Sequence, residues 1–451
     1  MPVHALSMAR ERLLETLETG ERRLPAGGLV VAFSGGLDST ALLHQLAGMP
    51  EVRARGLRAL HIDHGLQADS AVWSQHCRSV ASVLEVPLQT IAVVVGDTRG
   101  IGPEGAARRA RYSALQEALQ VGEILVVAHH RDDQAETVLL KLMRAAGPQG
   151  LGGMRSVRAF GHGLAWRPLL DLPRAVLHRY ALRHGLAWIE DPSNGDSRFD
   201  RNYLRMHLLP ALRERWPEAD SSLARSALWA QTAADYIDTQ ARRALSMVQG
   251  FDPTTLRVPE WLALPEALRD PVLRLWLRDI DMREPTWFQA AELQRQLTSA
   301  DDDRLPCVAW PGTELRRYRD LLHAWKPQPA APPGWRLQWR GDRVQLPAAL
   351  GSVQMVTDDD PANAIQCGAL PPLQLRLRRS GERLRLAGET HHRPLRDVLQ
   401  MFGIPPWQRS RLPLLVDAQD NILAIADLSL SEAGADLFQQ HRCRLDWQPA
   451  H

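Results

Sequence analysis

The chain has 451 residues, 45% hydrophobic and 24% charged, with a formal net charge of +2. That length suits two or three globular domains, and the near-neutral balance excludes a wholesale polycation. No apolar run approaches the ~20 residues of a membrane-spanning helix, and Cys77, Cys307, Cys367 and Cys443 form no CxxC pair, which argues against a zinc ribbon, an iron–sulfur site or a dithiol relay.

The first 24 residues carry Arg10, Glu11, Arg12, Glu15 and Glu18 among their apolar positions. They read as a surface helix rather than a signal peptide, and the expected location is cytoplasmic, with no membrane partner. Residues 29–33 form an apolar strand, followed by a glycine turn and a helix through residue 47. Strands are expected at 57–62, ending on Asp63 and His64, and at 89–95. A helix carrying Arg108, Arg109 and Arg111 follows, then a strand at 124–128 and a helix at 132–144. Strands alternating with helices predict an α/β fold, a doubly wound, Rossmann-like parallel sheet whose ligands bind beyond the carboxyl ends of its strands. Beyond Pro217 the pattern is helical over 219–248, 262–280 and 286–299, with no recurrent strand between. Residues 326–334 are proline-rich and extended, and a small mixed α/β unit closes the chain. The expected divisions are 1–215, 216–325, a linker at 326–335, and 336–451.

Ser34-Gly35-Gly36-Leu37-Asp38-Ser39 has the chemistry of a phosphate cradle. The glycines permit positive φ and close backbone approach, and the following helix offers free N–H groups to an anion. Asp38 repels phosphate, so its functional reading is a Mg²⁺ ligand beside the phosphates; the plainer alternative is a helix-start residue. In His129-His130-Arg131-Asp132-Asp133-Gln134-Ala135-Glu136-Thr137, Asp133, Glu136 and Thr137 share a helix face. These acids either suit the helix dipole or serve chemistry. A metal centre drawing on His61, Asp63, His64, His129 and Asp133 is a further alternative. Arg108 and Arg111 lie on one helix face, either solvated or contacting phosphate or carboxylate. Asp191-Pro192-Ser193-Asn194 reads as a turn, and Arg198, Arg201 and Arg205 are spaced for one side of the next helix.

Ser34–Ser39 resembles the signature of the PP-loop ATP pyrophosphatases, and within that group the chain resembles the tRNA(Ile)-lysidine synthase family. The resemblance runs through HIDHGLQ (61–67), AARRARY (106–112), AHHRDDQAETVLLKLMRAAGPQGLGGM (128–154), RPLL (167–170) and DPSNGDSRFDRNYLR (191–205), and through 380–415 near the C-terminus. Gln67, Ala145-Ala146 and Arg393-Pro394-Leu395-Arg396 depart from the family pattern. The resemblance implies ATP and Mg²⁺ as co-substrate and cofactor, with L-lysine and a tRNA(Ile) bearing a CAU anticodon as partners. It also implies adenylation of the wobble cytidine and lysine attack at its C2, and it suggests a homodimer. On that chemistry Asp38 holds the metal and pyrophosphate. Asp133 and Glu136, with His129 or His130 in second place, bind the ammonium and take its proton. Arg108 and Arg111 contact phosphate or the lysine carboxylate, and Asp63, His64, His130 and Asp132 line the lysine and cytidine pocket. Arg198, Arg201 and Arg205, with Arg376, Arg378, Arg379, Arg383, Arg385, Arg393 and Arg396, meet the tRNA. The rivals are a PP-loop tRNA thiolase, a metal-dependent phosphoesterase and a non-catalytic tRNA-binding protein.

Overall fold

The computed structural model describes residues 3–63, 70–94, 102–299, 306–332, 334–348, 350–357 and 370–449. They fall into two compact units, Met1–Thr239 and Gln240–His451. In the first, the elements run α1 (Val3–Glu21), β1 (Leu29–Ala32), α2 (Leu37–Ala47), α3 (Pro50–Ala54), β2 (Leu57–Asp63), α4 (Ser70–Val83), β3 (Leu88–Ala92) and α5 (Gly102–Ala118). Next come β4 (Ile124–Val126), α6 (Arg131–Leu142), α7 (Pro148–Leu151), β5 (Val157–Phe160), β6 (Gly163–Trp166) and α8 (Arg174–Arg183).

The strands form one sheet in the order β3-β2-β1-β4-β6-β5, parallel except for the antiparallel edge strand β5. Leu29 registers with Leu57 on one side and Ile124 on the other. LVVA and ILV read as unbroken apolar runs because helices cover both sheet faces. On one face lies the cluster of Leu13, Leu17, Leu42, Leu46 and Tyr180; on the other, Leu115, Leu119 and Phe160 pack over Leu60 and Leu125. The chain leaves β1 toward β2 and β3, then returns on the other side as β4. The loops after β1 and β4 therefore part and open a crevice at their carboxyl ends, where Ser34–Ser39 and His129–Asp133 both sit.

A second helical stretch follows: α9 (Asp200–Tyr203), a π-helical turn over Leu204–Leu208, α10 (Leu209–Arg215) and α11 (Ala219–Val248). The π turn lies just ahead of Pro210, which has no N–H to donate to the preceding turn.

In the second unit the helical expectation holds for α12 (Val258–Ala263), α13 (Glu266–Asp279) and α14 (Trp287–Ser299). The sequence reading missed an antiparallel sheet beside them, β7 (Thr255–Arg257), β8 (Cys307–Trp310), β9 (Thr313–Tyr318) and β10 (Leu321–Trp325), ordered β7-β10-β9-β8. Its signals were local: Pro311-Gly312 turns between two strands with Gly312 at φ 85°, and Val308 and Trp310 are buried while Cys307 and Ala309 are exposed. The remainder builds a five-stranded antiparallel sheet from Arg336–Trp339, Leu373–Leu377, Pro413–Val416, Ile422–Ile425 and Ser429–Leu430. Two-residue strands, a three-stranded sheet and short helices complete it. No helix among the described residues is long and apolar enough to cross a membrane.

Candidate active site

The loop after β1 is built by its own hydroxyls. Ser34 and Ser39 side chains lie 3.0 Å apart, and Ser39 Oγ donates to the Gly36 carbonyl at 3.1 Å. Gly36 caps α2, so the first N–H groups of that helix face the crevice. Gly35 has φ 79°, and a Cβ there would stand 2.8 Å from Cys77 Sγ, so no larger residue fits. Its carbonyl accepts the Ile189 N–H at 2.9 Å, which straps the loop from outside. Beneath it, His61 Nδ1 contacts the Phe33 carbonyl at 3.0 Å. Cys77, the one cysteine before Cys307, is buried, and burial pushes its thiol up to about 12.

Asp38 sits in the first turn of α2. Its Oδ1 is buried and makes no hydrogen bond, although Arg174 Nε stands 3.4 Å from it and donates to Oδ2 at 3.4 Å. Across the crevice, His130 ends the β4 loop and caps α6 reciprocally. Its Nδ1 accepts the Asp133 N–H at 3.3 Å, and Asp133 Oδ2 accepts the His130 N–H at 3.1 Å. His130 Nε2 then stands 3.7 Å from Asp38 and 3.4 Å from Asp133. One buried imidazole thus ties the two loops together. Burial lowers its pKa, but the Asp38 hydrogen bond and the charges of Asp133, Asp38 and Asp132 outweigh that and raise it. Asp133 is held below the usual carboxylate range: burial opposes this, and His130, His129 and Arg201 prevail.

His129 has a different environment. Arg167 Nε donates to its Nδ1 at 3.2 Å, which fixes the neutral form with the proton on Nε2. Burial, aided by the charges of Arg167, Arg201 and Arg108, drives its pKa down to about 3. It is a donor at neutral pH and a poor base. Arg167, 4% exposed, also donates to the Arg155 carbonyl at 2.9 Å. Sequence reasoning did not single it out, although it stands directly after the apolar strand β6, where a site residue of such a sheet is expected.

Three expectations need revision. Glu136, 1% exposed, accepts from Arg201 Nε at 2.7 Å and from Arg205 Nε at 2.7 Å and Nη2 at 3.1 Å. Both oxygens are engaged, so it is an anchor for arginines rather than a free base. By the same contacts Arg201 and Arg205 turn inward to wall the crevice instead of reaching out to RNA. Arg205 lies in the π turn Leu204–Leu208, and Arg201 one turn before it. Asp132 is likewise spoken for, accepting from the Arg174 N–H at 3.0 Å and from Arg213 at 3.1 Å. Asp63 ends β2 and accepts from Ser74 at 3.3 Å; His64 lies outside the described residues. Arg108 and Arg111 both face the Tyr112 ring, at 4.9 and 6.0 Å.

Of the outer arginines, Arg198 is 87% exposed and paired with Asp196 at 2.7 Å. In the second unit Arg376 is the correction: 2% exposed, it pairs with Glu382 at 2.6 Å and Asp420 at 2.8 Å and holds the fold. Arg379, Arg393 and Arg396 are exposed and pair with Asp420, Glu389 and Asp397. Such surface pairs are weak and exchange readily for phosphate. Arg383 donates to the His392 carbonyl, Arg385 pairs with Glu432, and Arg378 is half-buried. Trp407 packs against Tyr318 and His323. No group of three or more His, Cys, Asp or Glu able to hold a metal occurs among the described residues.

Comparison with known proteins matches most of the chain. A family model described as a PP-loop domain matches residues 7–212, one described as a TilS substrate binding domain matches 256–323, and a TilS substrate C-terminal domain matches 373–447. The tRNA(Ile)-lysidine synthase of Xanthomonas axonopodis pv. citri is 40% identical over 443 residues, covering 96% of this chain and 97% of that protein. The enzyme of the same name from Xylella fastidiosa is 41% identical, covering 94% and 97%. That of Shigella flexneri is 36% identical, covering 93% and 96%.

Proposed function

The chain belongs to the tRNA(Ile)-lysidine synthase family, and from that premise we propose how its residues perform ATP-dependent lysidine formation on the wobble cytidine of a CAU anticodon. The observation that carries the reading is the crevice between β1 and β4, where a phosphate-cradling loop with Asp38 faces Asp133 through His130.

The C2 oxygen of cytosine is a poor leaving group. Transfer of AMP to it from ATP, with release of pyrophosphate, converts it into a good one. The Ser34–Ser39 loop and the α2 N-terminus receive the phosphates in line with that transfer. Asp38 is the residue that would hold Mg²⁺: its carboxylate lies beside the phosphate site, and its buried Oδ1 makes no hydrogen bond, with Arg174 Nε 3.4 Å away. An ion held by Asp38 would supply positive charge against the pyrophosphate. The free amine of lysine has a pKa near ~10.4, so it arrives protonated. Asp133, held ionised, binds the ammonium, and the proton passes to the Asp133–His130 pair. The amine then attacks C2 and AMP leaves. His129, neutral with Nε2–H outward, donates to the base or the adenylate. The Glu136–Arg201–Arg205 cluster keeps the anionic side of the pocket from collapsing. In the C-terminal unit Arg379, Arg393 and Arg396 position the tRNA, and the enzyme acts as a homodimer in the cytoplasm.

The test is incubation with ATP, Mg²⁺, radiolabelled lysine and a CAU-bearing isoleucine tRNA transcript. The expected result is ATP-dependent label on the RNA that survives alkaline removal of esters. Folded protein that binds the tRNA and yields no such label sends the ATP site to another substrate.

A further inference from the structure

Arginines converge on one phenol ring at the carboxyl end of the sheet. The Tyr112 ring on α5 lies 4.9 Å from the guanidinium carbon of Arg108, and 6.0 Å from those of Arg111 and Arg158. Arg167 hydrogen-bonds the phenol, and the positive charge of its neighbours holds Tyr112 below its ordinary pKa against burial. Several half-buried arginines elsewhere in this unit do have acids: Arg58 pairs with Glu123, Arg213 with Asp220, Arg201 and Arg205 with Glu136. Among the described residues Arg108, Arg158 and Arg167 have no carboxylate partner; Arg167 is buried against a neutral histidine, a backbone carbonyl and a phenol.

Cation–π contact is worth about 0.5–1 kcal/mol at an exposed site and does not neutralise charge. Converging unpaired guanidiniums repel one another unless an anion joins them. Two features say which anion. The ATP phosphates have their own cradle at the α2 N-terminus, whereas these arginines come from α5, β5 and the position just after β6. Arg108 and Arg158 are exposed, and Arg158 lies on the edge strand β5. Exposed cations leading inward to a buried one, beside His129, fit a repeating polyanion better than one small carboxylate. Resting on the function proposed above, we propose that Arg108, Arg158 and Arg167, gathered on Tyr112, seat backbone phosphodiesters of the RNA next to the nucleotide being modified, with Arg158 the outermost contact.

The test measures tRNA affinity against KCl for the full-length protein and Arg158→Gln, with the KM for ATP and lysine and the melting temperature in parallel. Loss of one phosphate contact lowers the slope of log K against log salt by about 0.7, so between about 0.5 and 0.1 M KCl the variant gains about 3-fold less affinity than wild type. Arg158→Lys restores the slope, Arg108→Gln/Arg158→Gln lowers it by about twice as much, and the KM for ATP of Arg158→Gln stays unchanged. An unaltered slope in the folded variants overturns the proposal. So does a raised KM for lysine or ATP with RNA affinity intact, which gives the cluster to a small substrate. If the slope falls but wild type forms no lysidine, the phosphate seat stands and the reaction assignment falls.

Discussion

Replacing Glu136 by Gln separates an anchoring carboxylate from a catalytic one. Three hydrogen bonds of 2.7, 2.7 and 3.1 Å bind its two oxygens to Arg201 and Arg205. An amide has one acceptor oxygen and no charge, so one guanidinium faces an NH₂ group and both lose their counter-ion. Breaking a buried ion pair from one side costs about 3–5 kcal/mol. Arg201 and Arg205 are 25% and 38% exposed, so water recovers part of that, leaving about 2–3 kcal/mol. In a unit of this size each kcal/mol moves the midpoint by about 2–4 °C, so the expected fall is about 4–12 °C. Thermal melts followed by circular dichroism read it, and a double-mutant cycle with Arg205→Gln should show coupling above about 0.5 kcal/mol. Turnover should drop while the shape of its pH profile is kept. An unchanged midpoint combined with lost turnover and a lost pH limb would refute the anchoring role and return Glu136 to the chemistry.

Gly35→Ala should abolish ATP binding, because φ is 79° and the new Cβ meets Cys77 Sγ at 2.8 Å. Adding Cys77→Ala removes the clash and leaves the left-handed backbone, a residual of about 1–2 kcal/mol in calorimetric ATP affinity; full recovery would mean the backbone conformation is unimportant. Asp38→Asn should stop AMP formation while the tRNA dissociation constant stays put, and equal activity would sink the nucleotide-site assignment. His129 carries an acid-side signature, since its folded pKa of about 3 lies below the ordinary imidazole value of 6.5. Between those values the unfolded chain binds more protons, so stability falls as pH drops through 6.5, by about 2 kcal/mol at pH 5. His130, raised, works in the opposite sense over the same range, and Asp133, lowered, matters only below the ordinary carboxylate range. The diagnostic is therefore the difference between wild type and His129→Gln in urea melts at pH 7 and pH 5; identical pH slopes would show that His129 is not held neutral.

Local physics made a large part of this protein legible before any tertiary contact was known. An unbroken apolar run, two glycines and a helix start give strand, turn and helix at 29–47, because strand burial, positive φ and capping are decided within a few residues. The alternation of elements likewise implies a parallel sheet, whereas the His130–Asp133 capping box, though confined to one turn, was seen only in the structure. The small sheet of 255–325 escaped because its strands are short and its turns had to be weighed against the helices before it. Only the tertiary structure decided what the charged residues do. Glu136 meets Arg201 and Arg205 across 65 and 69 residues, and Arg167 reaches His129 across 38. A helix-face acid and a helix-face arginine look the same in sequence whether they meet water, substrate or each other. Periodicity reports which side of an element is buried, while charge acts through space. Its sign of effect depends on partners that chain position alone does not bring together.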